Sequence, residues 1–303
     1  MIDQYIWTEK HRPKDLKNYV GNEHLRSKFE GYISSSDIPH LLLYGKAGTG
    51  KTTLAKIIVK NVSSDHLYIN ASDERNIDTV RDKIKTFASS VGFNPLKIVI
   101  LDEADYLTPV SQAALRNIME TFSQHTRFIL TCNYVERIID PIQSRCQAYN
   151  VKPPSKKEVA SHLYNILQTE GVQCKVDDVA VLVNMGYPDI RQVINSAQRQ
   201  TVGGKIKIDA SSVIEQSYKQ QLVEHLSKKS SLRSIRQLVA DNHVQDYNEL
   251  IKFLYDELDN YAPSGSEPQI ILHLSEAQYR DVHAVDKEIN FMALIVNILK
   301  TET

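Results

Sequence analysis

Gly45-Lys46-Ala47-Gly48-Thr49-Gly50-Lys51-Thr52 is the stretch on which the fold of this chain turns. It fits the pattern G-x-x-x-x-G-K-[S/T], and its surroundings suit it. The apolar run His40–Tyr44 (HLLLY) precedes it, and Thr53–Val62 follows with apolar residues at helical spacing. A strand, a glycine-rich turn and a helix N-terminus together form an anion cradle. The glycines let consecutive backbone N–H groups face one anion, and the helix adds the positive end of its dipole. In such a loop Lys51 reaches the β- and γ-phosphates of a nucleotide, and the Thr52 hydroxyl ligates Mg²⁺. Gly45, Gly48, Thr49, Gly50 and Thr53 complete the expected phosphate contacts.

Outward from this loop, Leu67–Asn70, Ile98–Leu101 and Phe128–Thr131 read as further short buried strands. Helical periodicity fills Ile77–Ser89 and Ser111–Phe122 between them. Strands alternating with helices imply an α/β domain whose parallel sheet is covered on both faces. Lys152-Pro153-Pro154-Ser155 breaks the alternation, and Ser155 with Glu158 makes a capping box that opens a helix over 156–169. Gly203-Gly204 marks another break, and helical patterns occupy the rest apart from the loop Pro263–Pro268. The expected organisation is an α/β nucleotide-binding domain over 1–150, a small helical lid over 151–217 and an all-helical domain over 218–303. The C-terminal stripe Phe291, Leu294, Ile295, Ile298 and Leu299 should pack against other helices.

The chain has 303 residues, 42% apolar and 24% charged, which excludes wholesale disorder and favours two or three domains. Its net charge of −1 excludes a strongly basic, lone polyanion binder. That near-zero total hides asymmetry: 19 basic and 17 acidic residues lie in 1–150, nine and seven in 151–220, and eight and thirteen in 221–303. Cys132, Cys146 and Cys174 lack C-x-x-C spacing, so neither a disulfide framework nor a four-cysteine zinc site is expected. The histidines show no metal-ligand spacing. No signal-peptide pattern opens the sequence, and no apolar run is long enough to span a membrane. These features suggest a soluble protein of a reducing compartment.

Asp102-Glu103 follows the Ile98–Leu101 strand, which is expected beside the strand leading into the glycine loop. Asp102 there can hold Mg²⁺, and Glu103 can orient or deprotonate an attacking water. A nucleoside kinase needs no water-activating glutamate, so an ATP hydrolase is the better reading. Asp102–Asp105 also spells the D-E-A-D of RNA helicases, but no other helicase signature accompanies it.

The residues resemble those of the AAA+ ATPases, and within them the small subunits of replication factor C-type sliding-clamp loaders, including their phage relatives. Trp7-Thr-Glu-Lys-His-Arg12-Pro13 is similar to the W-x-E-K-Y-R-P box of that family, with His11 where tyrosine is usual. Val20-Gly21-Asn22 resembles the segment that closes over adenine. Asn70-Ala-Ser-Asp-Glu-Arg75-Asn-Ile-Asp78 is close to N-A-S-D-E-R-G-I-D, and Ser111–Arg116 and Ser144-Arg145-Cys146 are further family blocks. The resemblance is clearest over residues 5–200 and rests on helical character beyond.

The resemblance implies roles for single residues. Asn133, after the Phe128–Thr131 strand, corresponds to the first sensor, which holds the γ-phosphate or the water. Arg145 corresponds to an arginine finger inserted into the neighbouring subunit's ATP site, and Arg191 to the second sensor. Thr8, Glu9, Lys10, His11, Arg12 and Val20 would frame the base. Asn70 is either a switch that restrains Glu103 or a plain turn former. Arg75, Ile77, Arg81, Lys85 and Ser111 would follow a DNA backbone without reading its sequence. Taken without the resemblance, Arg81 and Lys85 would be an ordinary solvated face.

The same resemblance implies ATP and Mg²⁺ as ligands and a pentamer, a hetero-oligomer with several copies of this chain. It further implies a sliding clamp and primer–template DNA as partners, no membrane, and work at the replisome in cytoplasm or nucleus. The Gly92-Phe93 loop is the candidate clamp contact. Two rivals differ in kind: an ATP-binding scaffold subunit with little catalysis, and another AAA+ DNA machine such as a branch-migration motor or an origin-binding ATPase. The intact Lys51, Asp102, Glu103 and Arg145 oppose the first. The absence of a clear β-wing pattern in residues 218–303 opposes the second.

Overall fold

The computed structural model describes residues 5–73, 77–208, 210–242, 244, 246–263 and 265–301, with backbone only at 77–79 and 210–217. The chain forms two compact units, Met1–Lys207 and Ile208–Thr303. In the first unit the elements run α1 (Trp7–Lys10), α2 (Glu23–Ser35), β1 (Leu41–Tyr44), α3 (Lys51–Asn61), β2 (Ser64–Asn70) and α4 (Ile77–Ser89). Then come β3 (Leu96–Asp102), α5 (Pro109–Thr121), β4 (Thr126–Cys132), α6 (Asp140–Gln143) and β5 (Gln147–Asn150). Three helices, α7 (Lys156–Thr169), α8 (Val176–Gly186) and α9 (Ile190–Arg199), form the lid, and β6 (Thr201–Val202) and β7 (Lys205–Ile206) end the unit.

The five-stranded sheet is parallel, in the order β2-β3-β4-β1-β5. β3 therefore does not lie beside the strand that leads into the glycine loop, contrary to expectation; β4 separates them. The insertion follows from register: Leu43 of β1 pairs with Thr131, and Leu101 of β3 pairs with Leu130, so β4 fills the space between both strand ends. That one strand supplies the site with Thr131 and, just past its end, Asn133.

Side-chain alternation builds two cores from one sheet. Leu41, Leu43, Ile98, Ile100 and Ile129 pack with Leu25 and Phe29 of α2 and Leu54 and Ile58 of α3. Leu42, Val99, Leu101, Phe128 and Leu130 face the other way, onto Val80 and Ile84 of α4 and Leu115 and Ile118 of α5. Each such fully buried side chain contributes about 1.5–3 kcal/mol, so the three central strands fix where their C-terminal ends stand. β5 reads Gln-Ala-Tyr-Asn and is mostly exposed, which is why no apolar run announces it.

The capping box at Ser155 and Glu158 is present, with Ser155 Oγ accepting from the Glu158 N–H and the Glu158 carboxylate accepting from the Ser155 N–H. The N-terminal block packs on the lid: Trp7 joins Leu163, Leu182 and Val193, and its N–H donates to Gln198 Oε1 at 3.0 Å. Gly203 and Gly204, both at positive φ, make the turn between β6 and β7.

The second unit contains α10 (Ala210–Ser227), α11 (Leu232–Asp241), α12 (Tyr247–Asp256), α13 (Leu258–Tyr261), α14 (Glu267–Asp281) and α15 (Lys287–Lys300). Phe291, Leu294, Ile295 and Ile298 are buried against Leu250, Leu254 and Ile270, as the apolar stripe requires. The break expected at 217/218 falls inside α10, whereas the two units part at Lys207 and Ile208.

Candidate nucleotide-binding site

A cleft runs from the glycine loop to the lid. Gly48 and Gly50 adopt φ of +69° and +94°, values that let the loop turn its N–H groups inward and that L side chains rarely adopt. Gly50 then caps α3, so the positive end of that helix opens onto the loop. Lys51 Nζ folds back across the loop and donates to Gly45 O at 2.8 Å, Lys46 O at 2.7 Å and Asn133 Oδ1 at 2.8 Å. Burial holds its pKa below the ordinary lysine value, and the nearby Arg191 guanidinium pushes the same way against Cys132, Asp105 and Asp102. Three cations, Arg12, Lys51 and Arg191, thus line one cleft. Among the described residues Arg191 has no ion-pair partner. Such an arrangement favours a polyanion.

The acidic side is equally ordered. Asp102 Oδ1 accepts from Thr52 Oγ1 at 2.7 Å and from Thr131 Oγ1 at 2.5 Å, while Oδ2 accepts from Tyr68 Oη at 2.7 Å. Thr131 Oγ1 in turn accepts from the Glu103 N–H at 3.1 Å. One hydroxyl therefore ties both acids to β4. Glu103 sits at φ +56°, a left-handed conformation that costs a non-glycine residue about 1–3 kcal/mol. Asp105 accepts from the N–H groups of Asn133 and Tyr134, which sets the turn that presents the Asn133 side chain to Lys51.

Thr8, His11, Arg12 and Val20 are also in the wall of this cleft. Glu9 and Lys10 are not: Glu9 pairs with Arg12, and Lys10 pairs with Glu170 at 2.7 Å. His11 also meets Glu170, at 2.5 Å, so α1 is fastened to the end of α7. Burial raises the Glu170 pKa, but the hydrogen bonds from Lys10 and His11 outweigh it and leave the carboxyl below its ordinary value. Sequence reasoning missed Pro13, Tyr19, Thr131, His162, Ile190 and Ile194, all in the wall. Burial, then His11, keeps His162 below the usual histidine pKa. Pro13, Tyr19 and Ile190 adjoin the expected Arg12, Val20 and Arg191 in sequence, whereas His162 and Ile194 carry no local signal.

Arg145 is not among the residues that line the cleft. It follows α6, donates to Pro141 O at 2.7 Å and pairs with Glu120. The Asn70 side chain accepts from Ser72 and donates to Asp73, the turn-forming alternative. Of the expected DNA contacts, Arg75 and the Ile77 side chain lie outside the described residues. Lys85 is exposed, and Arg81 shares a small groove between α4 and α5 with Ser111. Ser111 is buried at 5% exposure, and its N–H and hydroxyl both meet Thr108 Oγ1.

Parallel sheet, glycine loop, paired acids and lid define a nucleotide-binding P-loop ATPase of the AAA class. Residues 41–153 match the model of the ATPase family associated with various cellular activities. The replication factor C small subunit of Halobacterium salinarum is 35% identical, with 97% of this chain and 96% of that protein covered. That of Natronomonas pharaonis is 36% identical, with 97% and 95% covered. Among solved structures, the Thermotoga maritima RuvB Holliday junction branch migration motor aligns with a TM-score of 0.57 at 17% identity, covering 77% of this chain and 86% of that one. At that identity the likeness concerns the fold alone. The chain belongs to the family of replication factor C small subunits, the clamp-loader ATPase subunits of DNA replication. Among the described residues, no helix is long and apolar enough to cross a membrane.

Proposed function

We propose that this chain uses ATP binding and hydrolysis to open a sliding clamp and load it onto primer–template DNA, as one of several copies in a pentameric hetero-oligomer. The observation that carries the reading is the division of catalytic groups. Lys51, Asp102, Glu103 and Asn133 converge on one cleft, while the arginine of the Ser-Arg-Cys block stands outside it. A site built this way needs a neighbour to be complete. Arg145 then serves the next subunit's γ-phosphate, and such a finger is worth about 10³–10⁵ in rate.

Within the cleft, the loop amides and Lys51 bind the phosphates. Thr8, His11, Arg12 and Val20 enclose the base, and Arg191 ties lid position to the γ-phosphate. Glu103 takes the proton of the attacking water, and Asn133 orients that water. Thr52 and Asp102 offer hydroxyl and carboxylate oxygens, the hard donors that suit Mg²⁺, and they would hold it together. When bound, that ion neutralises charge on the phosphates. Three modules divide the labour: the α/β domain hydrolyses, the helical lid responds to nucleotide, and the C-terminal helices join subunits. Exposed Leu272, Tyr279, Val282 and Ile289 on the second unit support an assembly surface there.

Arg81 and Lys85 on α4 track the DNA backbone, and Arg75 and Ile77, which lie outside the described residues or have no described side chain, are proposed to join them. Buried Ser111 acts through the N-terminal turn of α5 rather than as a free hydroxyl. Fully exposed Val91 and Phe93, at the loop after α4, give an apolar contact for the clamp. The test is hydrolysis by the assembled loader, alone, with primed DNA, and with DNA plus clamp. Stimulation by both partners is expected; a rate indifferent to both overturns the reading.

A further inference from the structure

Three hydroxyls surround the carboxylate that ends β3. Two come from elements already tied to the phosphate site, Thr52 on α3 and Thr131 on β4. The third, Tyr68 on β2, belongs to none of the sequence motifs. Its position follows from register: Asn70 pairs with Asp102 and Tyr68 with Ile100. Tyr68 therefore stands two residues back on the face of the sheet that carries Asp102, a diagonal neighbour within the reach of a long side chain. Its hydroxyl donates to Asp102 Oδ2 at 2.7 Å.

The ring has its own support. Lys56 Nζ lies 5.0 Å from its centroid, a cation over an aromatic face. Lys56 follows Thr52 by four residues, so both stand on one side of α3. Helix and sheet meet in two matched pairs, Thr52 on Asp102 and Lys56 on Tyr68.

We propose that Tyr68 is a positioning residue for the metal-assisted step, its hydroxyl fixing which way the Asp102 carboxylate faces. The inference rests on the reading of Asp102 as the Mg²⁺ carboxylate. An aspartate's terminal torsion is broad, so two oxygens held by opposed donors are needed to define it. Thr52 and Thr131 both pull on Oδ1; Tyr68 alone among the described residues holds Oδ2. Without that third donor the carboxylate turns, and Oδ1 leaves Thr52 for part of the time.

Tyr68→Phe removes the hydroxyl and keeps the ring under Lys56. Tyr68 is 41% exposed, so the fold tolerates the change. The assay measures affinity of the full chain for a fluorescent ATP analogue, in EDTA and across a Mg²⁺ titration, beside wild type and Asp102→Asn. Y68F should match wild type in EDTA and need about 10–150 times more Mg²⁺ for half effect, as expected for losing one hydrogen bond to a charged group. Asp102→Asn should lose the Mg²⁺ effect. If D102N titrates like wild type, Asp102 is not the metal carboxylate and both readings fall. If D102N loses the effect while Y68F titrates like wild type, the role of Tyr68 alone is overturned. Equal weakening in EDTA and in Mg²⁺ also overturns it, because simple packing would do that.

Discussion

Replacing Gly48 with alanine should loosen the lid, and the cost can be worked from one contact. A Cβ at Gly48 would stand 1.9 Å from Asp189 Oδ1 and 2.1 Å from its Cγ, on a residue whose φ is +69°. The left-handed backbone costs an alanine about 1–2 kcal/mol. Asp189 must also move, and its carboxylate caps α9 by accepting from the Gln192 N–H at 3.0 Å. Losing that cap costs about 1 kcal/mol. G48A should therefore destabilise the first unit by about 2–3 kcal/mol, and Asp189→Ala alone by about 1 kcal/mol. The double variant should cost no more than G48A, because the cap is lost only once; the singles would then fail to add by about 1 kcal/mol. The assay is urea unfolding read by fluorescence of Trp7, the sole tryptophan, which is buried in the lid core. With a urea slope of about 2 kcal/mol/M the midpoint of G48A falls by about 1–1.5 M. Full additivity of the two single costs would refute the idea that the lid aspartate rests on the phosphate loop.

Arg145→Ala should leave ATP affinity unchanged while hydrolysis by the assembled loader falls about 10³-fold or more; mixing it with Glu103→Gln chains should restore activity only at interfaces that pair an intact finger with an intact glutamate, and equal loss of binding would contradict this. His40 gives a pH signature: burial, with Arg127 adding to it, pushes its pKa down to about 4, and its Nδ1 accepts from the Phe128 N–H at 3.1 Å. The unfolded chain takes up this proton near pH 6.5, so the contribution of His40 is full above that pH and is lost as pH falls toward 4; His40→Gln should flatten the melting temperature across that window, and an unchanged slope would show the effect lies elsewhere. Arg81→Ala with Lys85→Ala should weaken DNA binding and reduce the salt slope by about 2, measured by titration at several salt concentrations, whereas an unaltered slope removes α4 from the DNA surface.

What could be read from the residues in advance depended on how local each structural requirement was. The loop 45–52 needs only a strand before it and a helix after it, all within some twenty residues, and both stand where periodicity puts them. β1, β3 and β4 were legible because burial on both faces demands unbroken apolar runs. β5 was not, because Gln147–Asn150 sits at the sheet edge and is held by pairing with β1 rather than by its own burial. Strand order was not legible either: nothing in Phe128–Thr131 states that it separates Tyr44 from Leu101.

The same distinction explains the site. Residue types that act through their own backbone neighbourhood, such as Gly48, Lys51 and Asp102, announce themselves. Those that act through a partner brought by the fold do not. Glu170 meets Lys10 and His11 across nearly the whole first unit, and neither end carries a motif for the other. Tyr68 reads as one more residue of a short buried strand until register sets it diagonal to Asp102. Thr131 looks like an ordinary β-branched strand residue, yet its hydroxyl joins Asp102 to Glu103. Motifs thus name the groups that touch the nucleotide, while the geometry of those groups is set by hydroxyls and carboxylates whose identity makes sense only after the sheet is assembled. A substitution at Thr131 or Tyr68 would leave every motif intact and still displace the acids that the motif names.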